Sequence, residues 1–390
     1  MMISKLSVKN FKALDDFEIE FTPFTALIGA NACGKSTVLQ ALDFVRSFAT
    51  RDLNEFMRER RWMFGDLKSQ FWSIRDEPIS FNVVHSFPGQ DDTSCDFSVN
   101  YIEGEYVFIE RIENAATGKL YAMNDNKTTK SSFFKNIDVF ANLGKQKIDP
   151  VLYLIKSFYE YSTNYELLSP AVMRTSGNRG YAENIGANGR QLAAFISRLN
   201  SEQRKKLDKF VSGYLNYPVE IRTRVMGTMG NVPLTRLSFT EKHSTGKVTV
   251  KPGHMSDGLL RIIALGAISV LHDEEGENKP DGLILIDEIE NGINLYSLED
   301  LIKVFKTIID KANRQVIITT HNPLVVNYLD PKEIMFMWRD ENGRVHAKPM
   351  FSTDGMKDTL DAFNPGEVWM NYNKDEILDL LNPKHKEDLK

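Results

Sequence analysis

Polar and apolar residues alternate strictly over Phe17–Glu18–Ile19–Glu20–Phe21 and in part over Ile3 to Val8. Both segments read as half-buried strands, paired antiparallel at a sheet edge. The run Phe24–Thr25–Ala26–Leu27–Ile28 lacks that alternation and suits a strand buried on both faces. A glycine-containing loop follows. From Ser36 to Phe48 the apolar positions Val38, Leu39, Leu42 and Val45 then fall at helical spacing. Short strands are expected at Ile79–Val83, Phe97–Tyr101 and Tyr106–Phe108. From about 131 to 215 the pattern is helical, with Asp149–Pro150 opening one helix. A polar loop at Arg174–Gly180 interrupts it, and a helical hairpin is predicted over Gln191–Leu199 and Glu202–Leu215. Strand signals return at Val219–Ile221 and Leu237–Phe239. A helix over Asp257–Leu271, a buried strand over Leu283–Ile286, a helix over about 294–311 and a strand over Gln315–Thr319 complete the pattern. Strands alternating with helices imply an α/β fold with a largely parallel sheet, here joined by an antiparallel β subdomain and a helical insertion. There is no internal repeat, and no heptad run is long enough for a coiled-coil arm.

Composition narrows the class. The 390 residues are 42% hydrophobic and 26% charged, which excludes wholesale disorder and fibrous proteins. The formal charge is -5, from 48 Lys+Arg against 53 Asp+Glu, so any hold on nucleic acid must use a local basic patch. Two cysteines, Cys33 and Cys95, cannot build a disulfide framework or a four-thiolate zinc site. The N-terminus has no signal-peptide pattern, and the most apolar stretch, Leu260–Leu271, holds Arg261 and is too short to span a bilayer. A cytoplasmic protein with no membrane partner is expected.

Four segments carry chemistry. Gly29–Ala30–Asn31–Ala32–Cys33–Gly34–Lys35–Ser36 matches G-x-x-x-x-G-K-[ST] between a predicted strand and a predicted helix. Backbone N–H groups and a helix N-terminus there wrap phosphates, which assigns Gly29, Asn31, Gly34, Lys35, Ser36 and Thr37 to ATP binding. Lys35 reaches the β/γ oxygens, and Ser36 is placed to ligate Mg²⁺. Asp287, ending the Leu283–Ile286 strand, would hold Mg²⁺ through a water, and Glu288 would polarise the attacking water. His321, after Thr319–Thr320, can bond the γ-phosphate. Ser256 caps the helix that begins at Asp257, and the N–H groups there can bind another phosphate.

The order of phosphate loop, Ser256-x-Gly258 signature, Asp287–Glu288 strand, Asn291–Gly292 turn and Thr320–His321 resembles the ATP-binding-cassette (ABC) ATPases, P-loop NTPases with a two-lobed head. The start Leu6–Ser7–Val8–Lys9–Asn10–Phe11–Lys12–Ala13–Leu14 resembles the chromosome-maintenance and recombination-repair (SMC/RecF-like) branch. Met255–Leu265 and Ile286–Asn294 are similar to the ATPase half of overcoming-lysogenization-defect (OLD) proteins and their shorter relatives, which often serve anti-phage systems. The resemblance divides the chain into lobe I at 1–115, a helical insertion at 116–215, lobe II at 216–355 and a tail at 356–390 suited to partner contact. It implies a slow Mg-ATP hydrolase whose catalytic residues are Glu288, His321 and Lys35. Ser256 and Gly258 of one subunit would face the γ-phosphate held by another, in a head-to-head dimer or higher homo-oligomer.

The implied role is the sensor or regulatory scaffold of a prokaryotic anti-phage complex, with a separate effector such as a TOPRIM-type nuclease or a toxin, and DNA or a phage protein as trigger. A DNA-repair or DNA-end-binding ATPase is the alternative, and a transporter subunit a third reading. Gln70 is the candidate for the metal-contacting glutamine between the lobes. Asn294 stands where relatives often carry His. Ala32 stands where they carry Gly, which is tolerable if its φ is negative. Cys33 is a small buried filler or a redox-sensitive thiol. Arg58–Trp62, with Lys127 and Lys130, is a phosphate contact or a solvated surface. Trp369, in Pro365–Trp369, anchors a partner or packs. Lys384–His385–Lys386 is a solvated tail.

Overall fold

The computed structural model describes residues 1–69, 77–124, 132–142, 148–175, 178–179, 184–229, 232–272 and 281–382. Gln70, Lys127, Lys130 and Lys384–Lys386 lie outside them. The chain divides into two compact units, one of Met1–Thr163, Asn278–Leu285 and Asn313–Lys390, the other of Asn164–Glu277 and Ile286–Ala312.

In the first unit the alternating segments pair as the sequence predicts. Phe17–Glu20 lies antiparallel to Met2–Lys9, with Leu6 opposite Ile19. The sheet continues through Ile79–Ser86, Thr93–Ile102, Glu105–Asn114 and Leu120–Asn124. A second sheet has the order Val345–Pro349, Ile334–Arg339, Phe24–Ile28, Arg314–Thr319, Gly282–Ile286, Thr163–Asn164. Phe24–Ile28 is fully buried and runs parallel to both of its neighbours, with Leu27 beside Thr319 and Met335. Gln315 ties the two sheets: its amide accepts from Ile3 N at 2.9 Å and donates to the carbonyls of Ile3 at 2.8 Å and Thr22 at 3.2 Å.

The helix Lys35–Thr50 buries Val38, Leu39, Leu42, Phe44, Val45 and Phe48. Phe44 and Phe48 meet Phe81 of the antiparallel sheet at centroid distances of 5.8 and 6.4 Å. Each such ring contributes roughly 1.5–3 kcal/mol by leaving water. The same helix buries Asp43, which takes two bonds of 2.8 Å from Arg46 and a further bond from Arg60. Without those guanidinium groups a buried carboxylate would be strongly destabilising.

The helical insertion does not begin at residue 116. Leu120–Asn124 extends the antiparallel sheet, because Arg111 pairs with Met123 and Glu110 with Asn124. Glu110 is buried and accepts from Phe133 N at 2.6 Å and from Ser132, so it anchors the start of the helix Phe133–Asn142. That helix and Pro150–Glu160, capped by Asp149, pack on Lys35–Thr50. The sequence boundary at 115 thus divides a single hydrophobic core, and the chain leaves this unit only after Thr163.

The second unit is built on a four-stranded antiparallel sheet: a ribbon of Val219–Met229, Val232–His243 and Gly246–Val250, with Asn178–Arg179 pairing against Leu234 and Thr235. Its inner face buries Val219, Ile221, Leu237 and Phe239. The helices Leu192–Arg198 and Ser201–Leu215 lean on this ribbon and on Asp257–His272 more than on each other, so the predicted helical hairpin is not a packing unit.

His85, on Ile79–Ser86, is wholly buried with Nε2 3.0 Å from the Tyr159 hydroxyl and Nδ1 3.7 Å from Cys95 Sγ. Burial pushes its pKa down to about 3 from 6.5. The native state therefore holds the ring neutral while the unfolded chain binds a proton below about pH 6.5. Stability should be unaffected by this group above pH 6.5 and fall by up to about 1.4 kcal/mol per pH unit between pH 6.5 and 3. Urea melts of wild type and His85→Gln across that range should show the shallower slope in the variant.

Candidate nucleotide-binding site

The phosphate loop leaves the buried strand at Ile28 and closes at the start of the helix Lys35–Thr50. Gly29 has φ +139°, and a Cβ there would stand 2.1 Å from the Met337 carbonyl oxygen. Gly34 has φ +100° and lies under Val345. Both positions demand glycine, for conformation and for space. Lys35 Nζ donates to the carbonyls of Gly29 at 2.8 Å and Ala30 at 3.0 Å. Its ammonium is thus held inside the loop. Ser36 and Thr37 are half-buried in the first helical turn, and Asn31 is exposed at the apex. Parallel register sets Thr319 beside Leu27, so the Thr320–His321 turn follows its strand where Gly29 follows its own. Thr320 N donates to Leu27 O at 3.2 Å, and His321 is exposed.

Ala32 departs from expectation. Its φ is +60°, not negative. The loop requires the left-handed conformation that glycine adopts freely, and alanine holds it at a cost of about 1 kcal/mol. Ala32→Gly should therefore raise stability slightly or leave it level and leave the loop geometry intact, measured as an unchanged or higher melting temperature with nucleotide affinity within a factor of about two. Cys33 is buried, and burial raises its thiol pKa above the usual value despite the nearby Lys35. It fills space and is not a thiolate.

In the second unit the signature turn is braced from two sides. Ser256 Oγ accepts from Leu259 N at 3.2 Å, and its carbonyl takes the first helical bond from Leu260. Arg174 donates to the Met255 carbonyl at 2.9 and 3.1 Å and to the Asp257 carboxylate. Gly258 packs backbone to backbone on Gly292, where a Cβ would lie 2.2 Å from the Gly292 oxygen. Ser256 itself is exposed.

Asp287 and Glu288 follow the strand Gly282–Ile286. Glu288 has φ +47°, an uncommon conformation for a side chain of that size. Its carboxylate accepts from Asn291 Nδ2 at 3.0 Å. Arg261 lies beside this acidic turn: burial lowers its pKa, and Glu288, Asp257, Asp287 and Glu290 oppose that. Sequence reasoning gave neither Arg174 nor Arg261 a role. Arg261 had a signal, five residues after Ser256 on one helix. Arg174 had none, because its contact spans 81 residues of chain.

Other candidates resolve into packing. Arg60 bonds Asp43, and its guanidinium lies 4.9 Å from the Trp62 ring, with Lys12 Nζ 3.5 Å from the same ring. Arg58, Glu59 and Arg61 of that run remain exposed, and Glu59 pairs with Arg51 at 2.9 Å. Gly366 meets the Pro323 carbonyl so closely that a Cβ would stand 1.9 Å from it, and its N–H donates to Asn327 at 2.7 Å. The Pro365–Trp369 segment thus docks just beyond His321. Trp369 walls a pocket of about 410 Å³ with Trp338, Asn31 and Ala32. Among the described residues no group of His, Cys, Asp and Glu is arranged to hold a metal alone. No helix of those residues is long and apolar enough to cross a membrane.

Residues 24–327 match the family described as "AAA domain, putative AbiEii toxin, Type IV TA system". The chain belongs to that family. An OLD nuclease of Thermus scotoductus (strain ATCC 700910 / SA-01) is 40% identical over 55 residues, 14% of this chain and 10% of that protein. The matched stretch is thus a tenth of the relative's length. A crystal structure of an SmcHead bound to the C-winged helix domain of ScpA matches 89% of this chain and 97% of its own, with TM-score 0.57 and 16% identity. This AAA-domain protein therefore has the head fold of the SMC/RecF-like ABC ATPases and resembles OLD-family proteins.

The donor set of the phosphate loop fits a nucleotide triphosphate. Glycine at 29 and 34 leaves room for the loop's N–H groups to converge, and Lys35 supplies the cation. Arg174→Ala should loosen the signature turn while the phosphate loop is untouched. Fluorescent ATP-analogue binding should stay within about threefold of wild type, while amide hydrogen exchange over residues 255–260 quickens about tenfold.

Proposed function

We propose that this protein binds and hydrolyses Mg-ATP and that ATP joins two copies through their signature turns. It would act as the sensor and regulatory scaffold of a prokaryotic anti-phage complex, governing a separate effector such as a nuclease or toxin. The observation that carries the ATP reading is the Lys35 ammonium, bonded to the Gly29 and Ala30 carbonyls within a loop that only glycine can close. On binding, Lys35 exchanges those carbonyls for β- and γ-phosphate oxygens, at little cost in desolvation. Ser36 and Asp287 would hold Mg²⁺, which would neutralise charge on the phosphates. Glu288, fixed by Asn291, accepts the proton of the attacking water as its oxygen bonds the γ-phosphorus and the bond to ADP breaks. His321 contacts the γ-phosphate and distinguishes ATP from ADP.

The exposed Ser256 turn supports completion by a second copy. Its N–H groups are aimed by the Arg174 brace and the Gly258–Gly292 contact. The helix N-terminus favours an anion there. The family's description as a toxin-system domain and the likeness to an OLD nuclease support the defence role.

Glu288→Gln should lower the hydrolysis rate at least a hundredfold with ATP affinity retained, and should lengthen the life of the ATP-bound dimer. Lys35→Ala should abolish both binding and association. Equal hydrolysis by Glu288→Gln and wild type would exclude the assigned base. Sizing with a non-hydrolysable analogue that finds only monomer would exclude the composite site.

A further inference from the structure

The pocket of about 410 Å³ in the first unit borders the phosphate loop without including its phosphate seat. One wall is the loop from Ala30 to Cys33, and Gly34, Lys35 and Ser36 take no part in it. The facing wall is the end of the strand Ile334–Arg339 with the helices Pro365–Asn371 and Lys374–Leu381. That second wall is braced. Gly366 sits on the Pro323 carbonyl. Asn373 caps the last helix by accepting from Asp375 N and Glu376 N at 3.0 Å, and Thr353 Oγ1 donates to Leu380 O at 2.8 Å. Trp338 stacks on Phe336 and on His346, with ring centroids 5.9 and 5.3 Å away. The pocket thus has one rigid wall and one wall made of the loop that must receive nucleotide.

The lining selects a kind of ligand. Trp338, Trp369 and Tyr372 make the rigid wall aromatic, and all three are half-buried, so the fold leaves part of their ring surface uncovered. Flat rings of this kind offer a large apolar contact to another flat ring. The volume falls within the range of about 300–1,000 Å³ typical of small-molecule sites. Two charged residues line the pocket, Arg339 and Lys374, and both are cations. No carboxylate belongs to its walls. Lys374 Nζ donates to Arg339 O at 3.3 Å, which keeps the ammonium at the strand end. In a chain of net charge -5 the local balance is therefore reversed. Aromatic walls with cations at one end suit a planar aromatic anion.

We propose that this pocket binds a small planar aromatic anion and that its occupancy weakens nucleotide binding at the phosphate loop. The coupling rests on the ATP reading given above; binding of the anion does not. In the structure Lys35 is bonded to the Gly29 and Ala30 carbonyls, and Ala32 is held at φ +60°. A ligand seated against Ala30 and Ala32 fixes that arrangement. ATP requires the opposite, because Lys35 must leave the Ala30 carbonyl for phosphate oxygens. A ligand that prefers the loop with Lys35 retracted shifts the population away from the nucleotide-ready form by its differential affinity for the two. The effect is reciprocal, so bound nucleotide weakens the anion by the same factor.

The test uses the full chain and three probes of one shape: naphthoate, neutral naphthamide and cationic naphthylmethylammonium, titrated by calorimetry. Naphthoate should bind once per chain, about fivefold or more tighter than either analogue. At saturating naphthoate a fluorescent ATP analogue should bind about five- to tenfold more weakly, and the weakening should level off. Lys374 is exposed in the first turn of its helix, where glutamate is favourable, so Lys374→Glu should fold. That variant should bind naphthoate about tenfold more weakly, with ATP-analogue affinity in the absence of probe within about twofold of wild type. Lys35→Ala should lose nucleotide and keep naphthoate, which separates a failure of the pocket from a failure of the ATP site. Equal binding of the three probes would overturn the proposal. So would naphthoate affinity unchanged in Lys374→Glu, or nucleotide affinity indifferent to naphthoate. Weakening that grows without limit would overturn it as well, since that marks direct competition for the nucleotide's own seat.

Discussion

The first unit depends on one close approach, that of Gly29 to the carbonyl of Met337. Phe24–Ile28 runs between two parallel neighbours and is buried on both faces, so the chain emerging from it has no freedom sideways. It must turn within the space left by the end of Ile334–Arg339. Only a residue without a Cβ fits there, and only at a φ that glycine tolerates. That turn aims the following N–H groups inward and sets where the helix Lys35–Thr50 begins. The helix in turn carries Asp43 into the core and the phenylalanine cluster onto the antiparallel sheet. Anion-binding geometry and hydrophobic packing thus share one origin, and a single methyl group would disturb both.

The second unit repeats the device with different parts. Gly258 and Gly292 touch through their backbones, which joins the first turn of the signature helix to the loop after the acidic pair. Glu288 sits in a strained conformation between them and its strand, held by Asn291. Strain of this kind persists only where surrounding contacts fix it. Here those contacts are Asn291, the electrostatic counterweight of Arg261 and the glycine pair. Movement of the signature turn would therefore be felt at Glu288 through rigid backbone contact, without any long side-chain relay.

How much of this was legible in the sequence follows from contact range. The phosphate loop is contiguous, so its strand, turn and helix were readable from eight residues, as were the Asp287–Glu288 strand and the Ser256 cap. The parallel sheet followed from alternation of strands and helices. Three things were not readable. The conformation of Ala32 is imposed by the loop's ends and not by alanine's own preference. The division between units turns on Glu110 anchoring the Phe133–Asn142 helix, a contact between residues 23 apart whose geometry is invisible to periodicity. Arg174 reaches the signature turn from the helix Pro170–Thr175, at a position that the pattern marked only as the start of a polar loop. Pro365–Gly366, by contrast, stood out in the sequence without a reason, and the Pro323 carbonyl supplies it.

The treatment of charge separates the two units. Asp43 is buried, and two arginines converge on it until its bonds are satisfied. Burial forces that economy, since an unpaired charge in the core is too costly to keep. Arg224 and Arg236, opposite each other across two strands, face water, where the cost of leaving them unpaired is modest. Repulsion across the strands nevertheless remains, and nothing in packing requires it: threonine at either position would suit a β-ribbon as well. The inner face of the same ribbon makes the contrast complete, because Ile221, Leu237 and Phe239 there are dictated by burial alone.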